Sequence, residues 1–426
     1  MINIKRLRDS PDEFKAAAAR RDRDLISQLD AILALDAQRR ALVQKVEALK
    51  TDRNQASEEV ARRKKAGKDA AELLTPLKKL SGEIKQEDQE LRETEADLKQ
   101  KMLQIPNVPL QDVPEGDVTA NQELRTWGDR PSFSFDPKPH WELGEQLGVL
   151  DLARGAKVAG TGFPVYTGHG SKLIRSLINF MLDIHTTEHG YREMWPPALV
   201  NETSALGTGQ LPDLENNMYV TTDGLYLVPT AEVPVTNFHR DEILSGDELP
   251  FGYAAYSPCF RREAGAHGKD TRGIIRIHQF DKVELVRYCT PDTSTDQHEL
   301  LLGHAETVLQ RLNLPYRVIV LATGDMGFAS AKTYDLEVWA PGLDTWLEVS
   351  SASVFTDFQA RRANIRYRPT PNAKPEFVHT LNASALALPR TIIALLENNQ
   401  LENGNIQIPE HLVPYMGVDR LTPNGA

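Results

Sequence analysis

The chain has 426 residues, 40% of them hydrophobic and 26% charged, with a formal net charge of −11. That length supports two or three domains with buried cores, and the acidic total argues against nucleic acid as a partner except where charge is locally basic. Two cysteines, Cys259 and Cys289, lie outside any C-x-x-C pair, which argues against a zinc site or disulfide framework; no apolar run approaches the ~18 residues of a membrane helix and Met1–Arg6 lacks a signal-peptide stretch, so the expectation is a cytoplasmic protein without a membrane partner.

Residues 1–104 read as one domain, dense in charge and poor in aromatics. Ile32, Leu35, Leu42, Val46 and Leu49 keep a 3–4 spacing, with Arg39 as a polar interruption. Leu73, Leu77, Leu80, Ile84, Leu91 and Leu98 keep it again. Each set makes a narrow apolar seam on an otherwise charged helix, and the polar, Gly67-containing stretch between them breaks the pattern. The expectation is an antiparallel coiled-coil hairpin about 50–60 Å long, too charged outside to pack against a core. Its tip holds Arg62, Arg63, Lys64, Lys65 and Lys68 with no acid among them. With Arg53 these form a candidate RNA-phosphate contact set, although a solvated helix end has the same composition.

Residues 105–120, with Pro106, Pro109 and Pro114, read as a linker, and 121–426 as a mixed domain. Strands are expected over 225–229, 254–260, 277–286, 316–321 and 333–338, and helices over 173–189, 296–312 and 391–399. Strand and helix do not alternate regularly. The fold class is therefore α+β, an antiparallel sheet with helices on one side.

No phosphate-binding G-x-x-x-x-G-K-[ST] loop or dinucleotide fingerprint is present. The informative stretch runs from Phe260-Arg261-Arg262-Glu263 through a Gly-rich basic loop to Gln279-Phe280-Asp281-Lys282-Val283-Glu284. Strand alternation predicts Arg261 and Glu263 on one face, and Phe280 and Glu284 on one face. An arginine grips phosphate in a bidentate way, a carboxylate accepts from an adenine amino group, and a phenyl ring offers a surface for a base. Taken singly, each has an ordinary structural reading: Phe280 as core, Glu232 as a strand-end charge, Glu348 as an arginine's partner, Ser384 as a helix cap.

Together these segments resemble motif 2 of the class II aminoacyl-tRNA synthetases, and in detail the seryl-tRNA synthetase family of bacterial type. The resemblance extends over essentially the whole chain. It includes the hairpin, Gly190–Pro197 as the dimer-forming motif 1, Thr230-Ala231-Glu232, Glu348-Val349-Ser350-Ser351, His379–Ser384, Arg390–Asn398 as motif 3 and Val413–Met416. It implies a serine–tRNA ligase that uses ATP and Mg²⁺, forms a homodimer and takes as partner tRNA(Ser), and tRNA(Sec) where that exists.

The resemblance also implies roles. Arg261, Arg390 and Glu348 would be catalytic. Arg261, Arg262, Glu263, Arg276, Phe280, Glu348, Val349, Ser350, Ser351 and Arg390 would contact ATP, with Phe280 stacked on adenine opposite Arg390. Glu348 and Ser351 would hold magnesium, as hard oxygen donors do. Thr230, Ala231, Glu232, Glu284, Asn382 and Ser384 would bind serine; which carboxylate meets the ammonium and which the hydroxyl stays open. The arm would read tRNA shape and reach across the dimer.

Two departures from the family pattern stand out. Pro389 precedes Arg390 where glycine is common, a change a helix tolerates in its first turn. Arg262 replaces a common serine. The loop Gly265-Ala266-His267-Gly268-Lys269-Asp270 keeps the glycines and basic residue suited to the acceptor end of tRNA. Rival readings are an amino-acid ligase loading a carrier protein, whose relatives lack the hairpin, and a non-catalytic RNA-binding paralogue, whose ATP site would be eroded.

Overall fold

The two heptad runs fold as two long helices in a computed structural model that describes residues 1–263 and 272–423, with only the backbone of Glu215. The described chain divides into two compact units, Ile2–Ile105 and Pro106–Ala426.

In the first unit, α1 (Ile4–Asp9) and α2 (Pro11–Ala19) lead into α3 (Leu25–Lys65) and α4 (Ala71–Leu103), of 41 and 33 residues. At 1.5 Å per residue these span about 60 and 50 Å. Lys45 pairs with Glu87 at 2.6 Å and Lys50 with Asp88 at 3.0 Å, lacing the antiparallel helices from outside the seam. Ile32, Leu42, Val46, Ile84 and Leu98 are buried, while Leu35, Leu49, Leu73, Leu77, Leu80 and Leu91 are half-buried.

One seam position departs from the expected pattern. Asp36 is 1% exposed. It accepts from Arg8 of α1 at 3.0 Å, from Arg39 at 3.0 Å and from Arg40 at 3.1 Å. Arg39 is thus less an interruption than a partner of this buried carboxylate. At the tip, Gly67 takes φ +69° to turn the chain. Arg62 and Arg63 both pair with Glu59, which sits just before the basic run, and Lys64, Lys65 and Lys68 are exposed. Arg53, farther down α3, donates to Asn54 at 3.0 Å.

The largest sheet described in the second unit has eight strands. In chain order they are β1 (Gln122–Trp127), β2 (Arg192–Met194), β3 (Phe251–Phe260), β4 (Gln279–Cys289), β5 (Tyr316–Val320), β6 (Lys332–Ala340), β7 (Thr345–Thr356) and β8 (His379–Ala387). Their spatial order is β1-β5-β6-β7-β8-β4-β3-β2. Neighbours are antiparallel except the β2–β3 pair at the edge, which is parallel.

Alternation gives this sheet two unlike faces. Val283 and Leu285 of β4, Leu381 and Ala383 of β8, and Leu336 and Val338 of β6 join one core with α5 (His169–Thr187), α7 (Ser294–Arg311) and α9 (Leu388–Asn398). The long helices therefore lie on one side, as expected. The other face is not bare: α6 (Glu232–Asn237) and α8 (Phe358–Ala363) cover one end through Val235, Val286, Tyr288 and Ala360.

Three expectations change. The central strands β7 and β8 escape a hydropathy reading because one face of each is polar: Ser351 and Ser353 on β7, Thr380, Asn382 and Ser384 on β8. The expected strand over 225–229 shrinks to Tyr226–Leu227, paired with Leu199–Val200 in a separate ribbon. The expected linker belongs to the second unit from Pro106 onward. Asn107 donates to the carbonyls of Ala329 and Phe355 at 2.9 and 2.8 Å, and Val113 packs on Ile319 of β5.

Candidate active site

Even-numbered residues of β4 point away from the helix-backed core, so Phe280, Lys282 and Glu284 line the opposite face. Asn382 and Ser384 of β8 stand beside Glu284, with Ser384 directly across from it in the ladder. On β7 the register shifts between Leu336 and Glu337 of the facing strand. The extra residue, Val349, brings Glu348 round to the face of Ser351 and Ser353. The result is a cleft of about 610 Å³ with this polar face as its floor.

One end of the cleft is a closed pocket around two carboxylates. Glu284 is 0% and Glu232 6% exposed. Glu284 Oε1 accepts from Asn382 at 2.7 Å, and its carboxylate is ion-paired with the buried Lys282. Glu232 has a neutral partner instead: its Oε1 accepts from Gln359 Nε2 at 2.5 Å, while Gln359 Oε1 accepts from Thr380 at 2.7 Å. Burial, with Glu284 close by, pushes the Glu232 carboxyl up to about 7. Thr230 Oγ1 accepts the Glu232 backbone N–H at 3.2 Å at the start of α6.

The other end is cationic. Pro389 lies in the first turn of α9, so Arg390 enters the helix undisturbed. Its Nη1 donates to the Glu348 carbonyl at 2.8 Å and approaches Glu348 Oε2 at 3.3 Å, and its Nε donates to the Ile275 carbonyl at 3.2 Å. Ser351 Oγ donates to Glu348 Oε1 at 3.1 Å. Burial raises the Glu348 carboxyl, but Arg390, Arg261 and Ser351 together hold it below the ordinary carboxylate value. Asp335, nearly buried on β6, is raised well above its ordinary value by burial and by Glu348. The Arg261 guanidinium lies 5.1 Å from the Phe280 ring centre, and Arg276 pairs with Glu263 at 2.8 Å.

The cleft thus gathers Thr230, Glu232, Arg261, Glu263, Arg276, Phe280, Glu284, Glu348, Val349, Ser351, Asn382, Ser384 and Arg390. Three residues named from sequence do not line it. Ala231 is fully buried in the core beneath. Ser350 points to the far face and donates to the Ser384 carbonyl at 2.5 Å. Arg262 is exposed, and its backbone N–H donates to the Asn217 carbonyl at 2.9 Å. Arg261 and Glu263 do not share a strand face either. β3 ends at Phe260, and Glu263 adopts φ +47°, so their convergence is a property of a turn. The Arg261 guanidinium lies over the Phe280 ring. The loop 265–270 lies outside the described residues.

The sequence reading passed over Lys282, Asp335 and Gln359. Lys282 follows from the same period-two logic that paired Phe280 with Glu284. Asp335 sits in a strand that was recognised, two residues after Thr333 on the same face. Gln359 carries no local signal, since its role comes from the packing of α8.

The comparisons with known proteins agree in outline. Residues 1–109 match the model of the seryl-tRNA synthetase N-terminal domain, and residues 219–399 that of the class II tRNA synthetase core domain (G, H, P, S and T). A serine–tRNA ligase of Gemmatimonas aurantiaca is 54% identical over 420 residues, covering 98% of this chain and 99% of the relative. One of Carboxydothermus hydrogenoformans is 54% identical over 424 residues, covering 99% of each. Among solved structures, seryl-tRNA synthetase of Pyrococcus horikoshii complexed with ATP superposes with a TM-score of 0.93 at 38% identity, covering 99% of this chain and 100% of that one. The cytoplasmic serine–tRNA ligase of Naegleria fowleri, in complex with AMP, gives 0.88 at 28% identity, covering 100% and 99%. With identity above one half across nearly the full length, and a matching hairpin, sheet and cleft, the chain belongs to the seryl-tRNA synthetase family of class II aminoacyl-tRNA synthetases.

Proposed function

We propose that this chain activates serine with ATP and transfers the seryl group to the 3′ end of tRNA(Ser). The observation that carries the reading is the polarity of the cleft, with two buried carboxylates at one end and arginines at the other along one sheet face. A small amino acid with an ammonium and a hydroxyl suits the first end, and a triphosphate suits the second.

Within the pocket the two carboxylates divide the work. Glu284 already has Lys282 as its counter-ion, so it serves as an acceptor for the serine hydroxyl. Glu232 accepts from a neutral amide in place of an ion-pair partner among the described residues, and the ammonium of serine supplies the missing charge. A substrate lacking the hydroxyl leaves Glu284 and Asn382 unpaired toward it, which rejects alanine. In the first step a carboxylate oxygen of serine attacks the α-phosphorus, the bond to the bridging oxygen breaks, and pyrophosphate leaves. In the second a hydroxyl of the terminal adenosine attacks the acyl carbon, and AMP leaves. Arg261 and Arg390 orient and neutralise the phosphates, and positioning rather than a covalent enzyme intermediate supplies the rate.

Glu348 and Ser351 fit a magnesium ion that arrives with the nucleotide, because one carboxylate and one hydroxyl leave coordination positions for phosphate oxygens and water. Such an ion would supply charge neutralisation at the phosphates. Arg53, Arg62, Arg63, Lys64, Lys65 and Lys68 would contact tRNA, with the partner subunit of a cytoplasmic homodimer carrying the active site that the bound RNA reaches.

The test is ATP–pyrophosphate exchange across the proteinogenic amino acids, followed by charging of total tRNA and of a carrier protein. Serine alone should support exchange, and tRNA alone should be charged. Arg390→Ala should lower exchange by about 100-fold or more. Exchange unchanged in that variant, or a carrier loaded in place of tRNA, overturns the proposal.

A further inference from the structure

Behind the cationic end of the cleft lies a second polar group that takes no direct part in the chemistry above. His140 and Glu397 are each 0% exposed. Glu397 Oε1 accepts from the His140 backbone N–H at 2.8 Å and from its ring Nδ1 at 3.0 Å, while Oε2 accepts from the Gly342 N–H at 2.9 Å. On the other side of the ring, Nε2 accepts from the Ile274 N–H at 3.1 Å. That bond fixes the tautomer: Nδ1 carries the proton and Nε2 presents its lone pair to the main chain.

The chain at this point is returning from the loop between β3 and β4. Its next residue, Ile275, gives its carbonyl to Arg390, and Arg276 lines the cleft. Glu397 and Arg390 sit on the same helix, seven residues and so about two turns apart. The contacts therefore close a ring from Arg390 to Ile275, back one residue to Ile274, across His140 to Glu397, and along α9 to Arg390. Two neighbours tighten it. The Arg272 guanidinium lies 4.3 Å from the ring centre of Trp141, the residue after His140. Gly273 takes φ +71°, and a Cβ there would lie 2.1 Å from His140 Nε2, so the segment reaches the imidazole only with glycine at that position.

A buried polar pair is a poor device for stability alone, since apolar residues of similar volume usually do as well. What His140 supplies that an apolar side chain does not is a lone pair aimed at the main chain of 274–276. We infer that His140 is a positioning residue for nucleotide binding, holding the returning segment in the register at which Ile275 orients Arg390 and Arg276 faces the phosphates. The inference rests on the adenylate-forming reading of the cleft.

Two substitutions separate the functional contact from the fold. In His140→Gln the side-chain oxygen reaches the place of Nε2 and accepts from Ile274. In His140→Asn the side chain reaches only toward Glu397. Calorimetric ATP binding to the full chain, with exchange kinetics, reads the outcome. The Asn variant should weaken ATP about tenfold in Kd and KM, and the Gln variant should stay within about threefold of the parent. KM for serine should move in neither. An Asn variant with unchanged ATP affinity overturns the inference, as does an equal rise in KM for ATP and serine, or a Gln variant as poor as Asn. A parent that binds ATP but shows no serine-dependent exchange counts against the proposed function, while the ATP affinities still decide the role of His140.

Discussion

Replacing Glu232 by glutamine should stabilise the protein at alkaline pH while disabling it. The Glu232 carboxyl rises from 4.5 to about 7 because it is buried and faces Glu284. A folded-state value above the unfolded one means that the folded protein binds the proton more tightly. The stability this provides is fully present below about 4.5, is lost as pH climbs to about 7, and stays lost above it. The interval corresponds to about 3 kcal/mol. Glutamine never ionises and still offers an oxygen to Gln359. Glu232→Gln should therefore exceed the parent by about 3 kcal/mol at pH 8, shrinking to about 1 kcal/mol at pH 5. All five tryptophans lie beyond residue 126, so their fluorescence during urea unfolding reports the second unit alone. In parallel, KM for serine in the parent should fall as pH rises from about 6 to 8, because the ammonium requires the ionised carboxylate. A variant no more stable than the parent at pH 8, or a serine KM flat over that range, would refute the account of the pocket.

Two further outcomes concern the first unit. Deleting residues 51–79 should leave ATP–pyrophosphate exchange near the parent value and cut tRNA charging by about 100-fold or more, since the removed segment holds all six residues of the basic contact set; equal loss of both activities would contradict this separation. Asp36→Asn should cost about 2 kcal/mol at pH 7, measured by thermal loss of helical circular dichroism, because the carboxylate's arginine partners lose a buried counter-charge. Burial pushes the Asp36 carboxyl up, but Arg39 and Arg8 outweigh it and hold it below 3.8. Its contribution is present above that value and disappears as pH falls through the lower folded value, so the deficit of the Asn variant should vanish in acid.

How much of this was legible beforehand depends on the reach of each signal. The hairpin was, because heptad spacing is local and repeats many times. The helix-backed strands were, where their faces were apolar. β7 and β8 were not, because their polar faces are intelligible only once Glu348, Ser351, Asn382 and Ser384 share a floor. Residue types in order identified the cleft, but not its geometry. The assumption that a strand continues through Arg261 and Glu263 fails at Phe260, and no periodicity announces the φ +47° turn that follows. Gln359 and Glu397 were invisible because their partners lie 127 and 257 residues away in sequence.

The unlike faces of the central sheet sort inherited damage into two kinds. Glu284 and Leu285 are neighbours on one strand, one facing the cleft and the other the helix-backed core. A lesion at Leu285 leaves a cavity, and the cell loses molecules while each survivor works normally. A lesion at a cleft-facing residue outside the buried Glu284–Lys282 pair, such as Ser351, leaves the molecules in place and weakens each one. Raising expression compensates for the first defect and not for the second. In the homodimer proposed above, weakened but well-folded subunits would also occupy places that working ones need, and substitutions on the polar face would carry the greater dominant burden.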